Sequence, residues 1–234
     1  MHIKDILVKK IHKIVVIGAG GFGREVIWLL ERINNSDTCQ KYDIQGFIDD
    51  EKSIIGSMID GYPVLGNVDY LLQQEHELYA VCSIAKPSIR EAIVAKCKIN
   101  SNLFWATIID PFAIIGKNVS IGEGSIICAQ TIATVDIQIG SHVILNLACT
   151  IGHDAEIKSF STLYPTVNVS GQVSIGTRTE IGTGSQIVQS KTVGNDSIVG
   201  AGSVVVRDIP SFCTAVGVPA KPIKFHTIAS NIEG

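Results

Sequence analysis

The chain has 234 residues, 18% of them charged and 46% hydrophobic, with a formal net charge of −3. This is a globular composition of one or two domains. It leaves no basic footprint for nucleic acid and no apolar run long enough to cross a membrane.

Residues 1–12 form a basic lead-in without the apolar core of a secretion signal, so a cytoplasmic protein is expected. Lys13–Ile17 is a short apolar run suited to a buried parallel strand. It enters Gly18-Ala-Gly-Gly-Phe-Gly23, and Val26, Ile27, Leu29, Leu30 and Ile33 then mark one face of a helix. Strand, G-x-G-x-x-G and helix form the context of a dinucleotide fingerprint. Gly18, Gly20, Gly21 and Gly23 let the backbone approach phosphates, which the helix N-terminus favours. A second strand, Ile44–Ile48, ends at Asp49 and Asp50, where a Rossmann fold places its ribose-binding acid.

Beyond it the sequence predicts a turn and short strand (60–66), a helix (Val68–Gln74), a strand (Leu78–Cys82), a helix (Pro87 to about Lys96) and a last strand (Asn102–Ile108). That is room for a half-Rossmann, mononucleotide domain over residues 1–105, not for both halves of an NAD site. The glycines alone also fit a plain tight strand-to-helix turn.

From Ile109 to Pro210 the chain repeats in sixes. Sixteen of seventeen consecutive hexads open on Ile, Leu or Val, from Ile109 to Val205, and Ala133 opens the other. Glycine often takes the second position, where it is expected to ease corners with unusual backbone angles. Small or β-branched residues fill the fifth. A period of six fits neither a helix nor a plain strand. It fits a short strand and a corner, three per coil, stacked as a prism of parallel strands. This domain spans 106–222, with Ser211–Pro222 folding back over the last coil and 223–234 a loose tail.

His153 and Asp154 occupy positions three and four of Ile151-Gly-His-Asp-Ala-Glu, on an outward corner. One coil later the same column holds Gly171, which leaves a notch over the ring. Asp154 can orient the imidazole as a general base; the two also fit a surface His-Asp pair without function. His142 also sits on a corner, without an adjacent acid, and is expected to be structural or peripheral. His142 and His153 lack metal-ligand spacing and a third partner, so no metal is expected. Cys39, Cys82, Cys97, Cys128, Cys149 and Cys213 form no Cys-x-x-Cys pair and read as buried cytosolic thiols.

The whole pattern resembles the hexapeptide-repeat acyltransferases, in the branch of nucleotide-amino-sugar N-acetyltransferases, and is similar to the sialic acid O-acetyltransferases. The resemblance implies a left-handed parallel β-helix, against the usual right-handed rule for parallel crossovers. It also implies a homotrimer, acetyl-CoA bound between subunits, and a nucleotide-linked amino sugar on the N-terminal domain, for bacterial surface glycan synthesis. The family's catalytic histidine and acid fall on His153 and Asp154. Its nucleotide-side residues fall on Gly18, Gly20, Gly21, Gly23, Asp49, Asp50 and Arg90. Acetyl-CoA contacts are implied at Asn146, Thr162, Gly171, Thr183, Ala201 and Lys221, the last in Val216-Gly-Val-Pro-Ala-Lys221.

Two motifs depart from the family. Its second histidine, nine residues after the first, is Thr162 here, and its G-[DN]-x-x-x-R reads Ala85-Lys-Pro-Ser-Ile-Arg90. Lys191 occupies a normally small inward position. O-acetylation of a sialic acid, or a non-catalytic trimeric scaffold that binds a nucleotide sugar, are the other readings the sequence permits.

Overall fold

The structure, a computed structural model, describes residues 11–37 and 40–226. The lead-in through residue 10, Cys39 and the tail beyond residue 226 lie outside the described residues.

The N-terminal domain runs β1 (Ile11–Ile17), α1 (Gly21–Asn35), β2 (Lys41–Ile48), β3 (Met58–Ile59), β4 (Tyr62–Gly66), α2 (Val68–Leu72), β5 (Leu78–Cys82), α3 (Pro87–Cys97) and β6 (Leu103–Trp105). Its sheet has the order β3-β4-β2-β1-β5-β6. β1 lies between β2 and β5, parallel to both. A crevice therefore opens beyond the carboxyl end of β1, where the order reverses. α1 buries Val26, Ile27, Leu29, Leu30 and Ile33, the five positions whose spacing predicts its apolar stripe.

The strand expected over Asn102–Ile108 is two strands. Ala106 donates its N–H to Ala80 of the N-terminal sheet, and Ile108 donates to Ser125 of the β-helix. The backbone transfers its hydrogen bonds from one domain to the next within three residues, so the regular strand is interrupted there.

From Ile108 the chain winds as a left-handed parallel β-helix with three faces. Face one begins with Ile108–Ile109, face two with Ile114–Ile115 and face three with Ser120–Ile121. Each strand pairs in register with the one eighteen residues on, as Ile126 with Ile144 and Ala133 with Ile151. The first-position aliphatics fill the axis and form one cluster from Ile127 to Val205. Fifth-position hydroxyls also point inward and donate to carbonyls, as Ser161 to Gly176 (2.6 Å) and Thr179 to Gly194 (2.8 Å). These buried hydroxyls are thereby satisfied.

The glycines do a different job from the one expected of them. Those at the second position are not in the left-handed region. A Cβ on Gly116 would lie 1.7 Å from the Thr134 oxygen, and one on Gly152 2.6 Å from the Gly171 nitrogen. They permit adjacent coils to approach backbone to backbone. The left-handed conformation belongs to position four, and mostly to non-glycine residues, including Asn118 (φ 56°), His142 (56°), Asp154 (58°) and Asp196 (53°).

Beyond the last coil, Cys213–Val216 extends face one and pairs antiparallel with Lys221–Phe225. Residues 223–225, expected as loose tail, are thus part of a hairpin. The N-terminal domain sits on face one, where Ile108, Ile126 and Ile144 share an apolar cluster with Val26, Leu29 and Leu30 of α1. Arg32 of α1 holds the buried Asp110 through two bonds of 2.9 and 3.0 Å. Arg178 of the β-helix pairs with Glu91 of α3 and, bidentately, with Asp196.

Candidate active site

β1 delivers the glycine loop to the sheet crevice. Gly18 has φ +101°, and a Cβ there would meet Ile84 and Ser83 at 2.8 Å. A Cβ on Gly23 would lie 1.9 Å from the Gly18 oxygen, so glycine is required for α1 to pack against its own loop. Gly20 and Gly21 face open space. The first-turn N–H groups of α1 have no intrahelical acceptor, and an anion can take them.

Asp49 lies against this loop as expected, but both of its oxygens hold main chain. Oδ2 accepts from Ala19 (2.8 Å) and Oδ1 from Glu51 (2.9 Å). Asp50 turns the other way and accepts from the Val68 N–H at the start of α2 (3.1 Å). Arg24 was not among the predicted residues. It stands one residue past the loop, in the first turn of α1, and pairs at 2.6 Å with Asp60. Its position directly after Gly23 was the available signal.

Two expected binding residues are removed from the site by the structure. Arg90 is fully buried. Its Nε donates to the His142 carbonyl (2.9 Å), Nη1 to Ile84 (2.5 Å) and Ala85 (2.9 Å), and Nη2 to Phe160 (2.7 Å), Ser161 (3.3 Å) and the Thr162 hydroxyl (3.0 Å). Burial lowers its pKa to about 10, which leaves it charged at neutral pH. It is a rivet between domains and has no donor left for a nucleotide. Thr162 is equally buried, and its hydroxyl donates to the Ala85 carbonyl at 2.7 Å. It has no open side for an acetyl donor.

His153 stands on the corner between faces two and three, half-exposed, with Nδ1 2.7 Å from Asp154 Oδ2. With the carboxylate as acceptor, Nδ1 carries the proton and Nε2 presents its lone pair. That nitrogen lies over Gly171, where a Cβ would be 2.5 Å away. The notch anticipated from the eighteen-residue register is therefore present.

The remaining predicted residues lie elsewhere on the prism. Asn146 is half-exposed near the corner between faces one and two, with Oδ1 accepting from the Leu147 N–H at 2.7 Å. Thr183 and Ala201 are exposed on that same corner, in successive coils. Lys221 is exposed at the start of the last strand. The whole width of face two separates this group from His153 and Gly171, so one chain does not gather them.

His142 is buried, stacked on Phe160 at 5.0 Å and edge-on to Trp105. Burial first, then the charges of Arg90 and Lys98, lower its pKa to about 4. It is structural, one of the two roles expected of a corner histidine without an adjacent acid. The described cysteines are buried and unpaired.

Residues 13–97 match the family described as the PglD N-terminal domain. The chain superposes on the acetyltransferase domain of PglB from Neisseria gonorrhoeae FA1090 with a TM-score of 0.82 and 31% identity, covering 91% of this chain and 100% of that one. That domain has also been crystallised with acetyl coenzyme A. A variant of perosamine N-acetyltransferase from Caulobacter crescentus, in complex with CoA and GDP-perosamine, superposes with a TM-score of 0.81 and 28% identity, covering 91% and 97% of the two chains. Among curated sequences, serine acetyltransferase of Bacillus subtilis strain 168 is 31% identical over 124 residues, 53% of this chain and 50% of that protein. The chain spans about half the length of the curated relatives it matches.

Proposed function

The chain belongs to the hexapeptide-repeat sugar N-acetyltransferases with a PglD-type N-terminal domain, and from that premise we propose that it acetylates the amino group of a nucleotide-linked amino sugar, at the expense of acetyl-CoA, during bacterial surface glycan synthesis. The observation that carries the reading is the imidazole of His153, oriented by Asp154 and opening over Gly171. It stands in a chain that also presents a glycine loop with free first-turn N–H groups. The perosamine enzyme, crystallised with CoA and a GDP-linked amino sugar, supports an amine as acceptor over a sialic acid hydroxyl.

The chemistry needs one base and one electrophile. The sugar nitrogen attacks the thioester carbonyl carbon, and His153 Nε2 takes the proton the nitrogen gives up. Asp154 steadies the imidazolium. The tetrahedral intermediate collapses, the C–S bond breaks, and the proton on His153 passes to the leaving thiolate. A backbone N–H beside the carbonyl oxygen supplies the oxyanion contact. The reaction is assigned to the cytoplasm, and no metal is invoked.

The site is completed by a second copy. The glycine loop sits over face one, and His153 projects from the corner opposite that face. A three-fold ring with face two lining the axis sets the corner carrying Asn146 and Thr183 against the neighbour's His153 corner. Face two suits this role, since it exposes Ile114 and Ile132 in its first two coils. Acetyl-CoA then lies in the groove between the copies.

The test is thiol release from acetyl-CoA against UDP-, dTDP- and GDP-linked 4-amino-4,6-dideoxy sugars, with CMP-sialic acid and free sialic acid beside them. Turnover of one amino sugar is expected, falling about 10²–10⁴-fold in His153→Ala. Turnover of sialic acid alone would replace the reading with O-acetylation. Full turnover by His153→Ala would remove the base.

A further inference from the structure

Tyr164 and Glu180 form a polar pair that neither the fold nor the rivet between the domains uses. The Tyr164 hydroxyl donates to Glu180 Oε2 at 2.9 Å. Both side chains are half-exposed, Glu180 on face one and Tyr164 where that face turns toward face two. Among the described residues, no cation bonds to Glu180 and no group donates to its Oε1. Arg90 lies near enough to feel its charge, but the guanidinium donors are directed at carbonyls and Thr162. A carboxylate placed in this way has one oxygen oriented by a phenol and one left for a ligand.

Two observations put the pair beside the glycine loop. Arg32, near the end of α1, is bonded to Asp110 in the first coil. α1 then lies along face one, since Ile108, Ile126 and Ile144 of three successive coils share its apolar cluster. Its N-terminus, eleven residues before Arg32, lies about 16 Å further along, or about three coil spacings. That is the level of the coil that contains Tyr164. Independently, the Thr162 hydroxyl reaches the Ala85 carbonyl. Ala85 follows Ile84, which packs under Gly18, and Thr162 is the strand partner of Glu180. His153 belongs to the coil just below and Gly171 to the same coil as Tyr164, so a ring of copies brings the neighbour's notch to this height.

We propose that Glu180 and Tyr164 recognise the sugar ring of the nucleotide sugar, with the carboxylate accepting from a ring hydroxyl next to the reacting amine. This rests on the proposed activity and adds to it the residues that select the sugar. The hydroxyl is favoured over the amine itself. A carboxylate against the ammonium would hold the proton that His153 must remove, whereas a neighbouring hydroxyl is bound without opposing the attack. Carboxylate acceptors form the stronger class of hydrogen bond, and the phenol fixes the direction from which the hydroxyl is taken.

The test is calorimetric, on Glu180→Ala and Tyr164→Phe, with the nucleotide sugar of the panel that wild type acetylates, the matching bare nucleoside diphosphate, and acetyl-CoA. Glu180→Ala is expected to weaken the nucleotide sugar about tenfold or more, as loss of a charge-assisted bond requires. The nucleoside diphosphate and acetyl-CoA should stay within about twofold, and Tyr164→Phe should weaken the sugar by a smaller factor. Equal weakening of the sugar and its nucleoside diphosphate would make the pair structural and overturn the proposal, as would an unchanged sugar affinity. Wild-type turnover tests the activity itself, and the ratio of the two affinities in the variant tests the pair, so the two failures are told apart.

Discussion

The Thr162 hydroxyl donates to the Ala85 carbonyl at 2.7 Å, so two of the positions at which this chain departs from the family pattern are in direct contact. Each departure alone looks like the loss of a binding group. Together they are a buried hydrogen bond between the loop after β5 and the β-helix, with Arg90 bonded to both residues. Thr162 therefore belongs to how the domains are docked, against a main-chain carbonyl that glycine at position 85 would also offer.

Thr162→Val tests this directly. Valine keeps the shape but removes the Thr162–Ala85 and Arg90–Thr162 hydrogen bonds; the Ala85 carbonyl keeps Arg90 Nη1, and Nη2 keeps the Phe160 and Ser161 carbonyls. Stability should fall by about 0.5–1.5 kcal/mol, measured by urea unfolding. The KM for acetyl-CoA should not move by more than about twofold. A large rise in that KM with stability unchanged would return Thr162 to the donor site.

Gly171→Ala separates catalysis from folding. Gly171 is not in the left-handed region, so alanine brings no backbone strain. The added Cβ would stand 2.5 Å from His153 Nε2. That ring is half-exposed and can turn away, so stability should stay within about 0.5 kcal/mol. Turnover should fall at least about a hundredfold, because the ring leaves the notch where substrate is attacked. A Gly171→Ala protein with normal kcat would show that the notch is unused.

The β-helix was legible because an aliphatic every sixth residue has one geometrical solution, and the His153 notch followed from adding eighteen. What the spacing hid was the reason for the glycines. Positions two and four flank the same corner, and only coordinates separate a close backbone approach at Gly152 from the left-handed turn at Asp154. Arg90 was illegible for another cause. Four of its six acceptors lie at His142 and Phe160 to Thr162, remote in sequence, and all but the Thr162 hydroxyl are main-chain carbonyls, which every residue carries. Tyr164 and Glu180 lie between these cases, since the eighteen-residue register pairs Thr162 with Glu180 and brings Tyr164 alongside.

His142 makes stability depend on pH in a defined window. It is 3% exposed, its Nδ1 has no partner, and its pKa is lowered to about 4, chiefly by burial. The unfolded chain takes up this proton near the ordinary value of about 6.5; the folded chain resists until about 4. Between those values the unfolded state binds more protons, so stability falls as pH falls. The slope approaches about 1.4 kcal/mol per pH unit at most, for a total of no more than about 3 kcal/mol. Above the window both states are neutral there, and below it both are charged. His142→Phe should abolish this contribution and keep the packing, since Phe160 already holds a phenyl ring one coil above in the same left-handed conformation. Urea unfolding at pH 7 and pH 4.5, followed through the fluorescence of Trp105 against this ring, should show wild type losing about 2 kcal/mol more than the variant. Equal losses would assign the acid sensitivity to the carboxylates and not to His142.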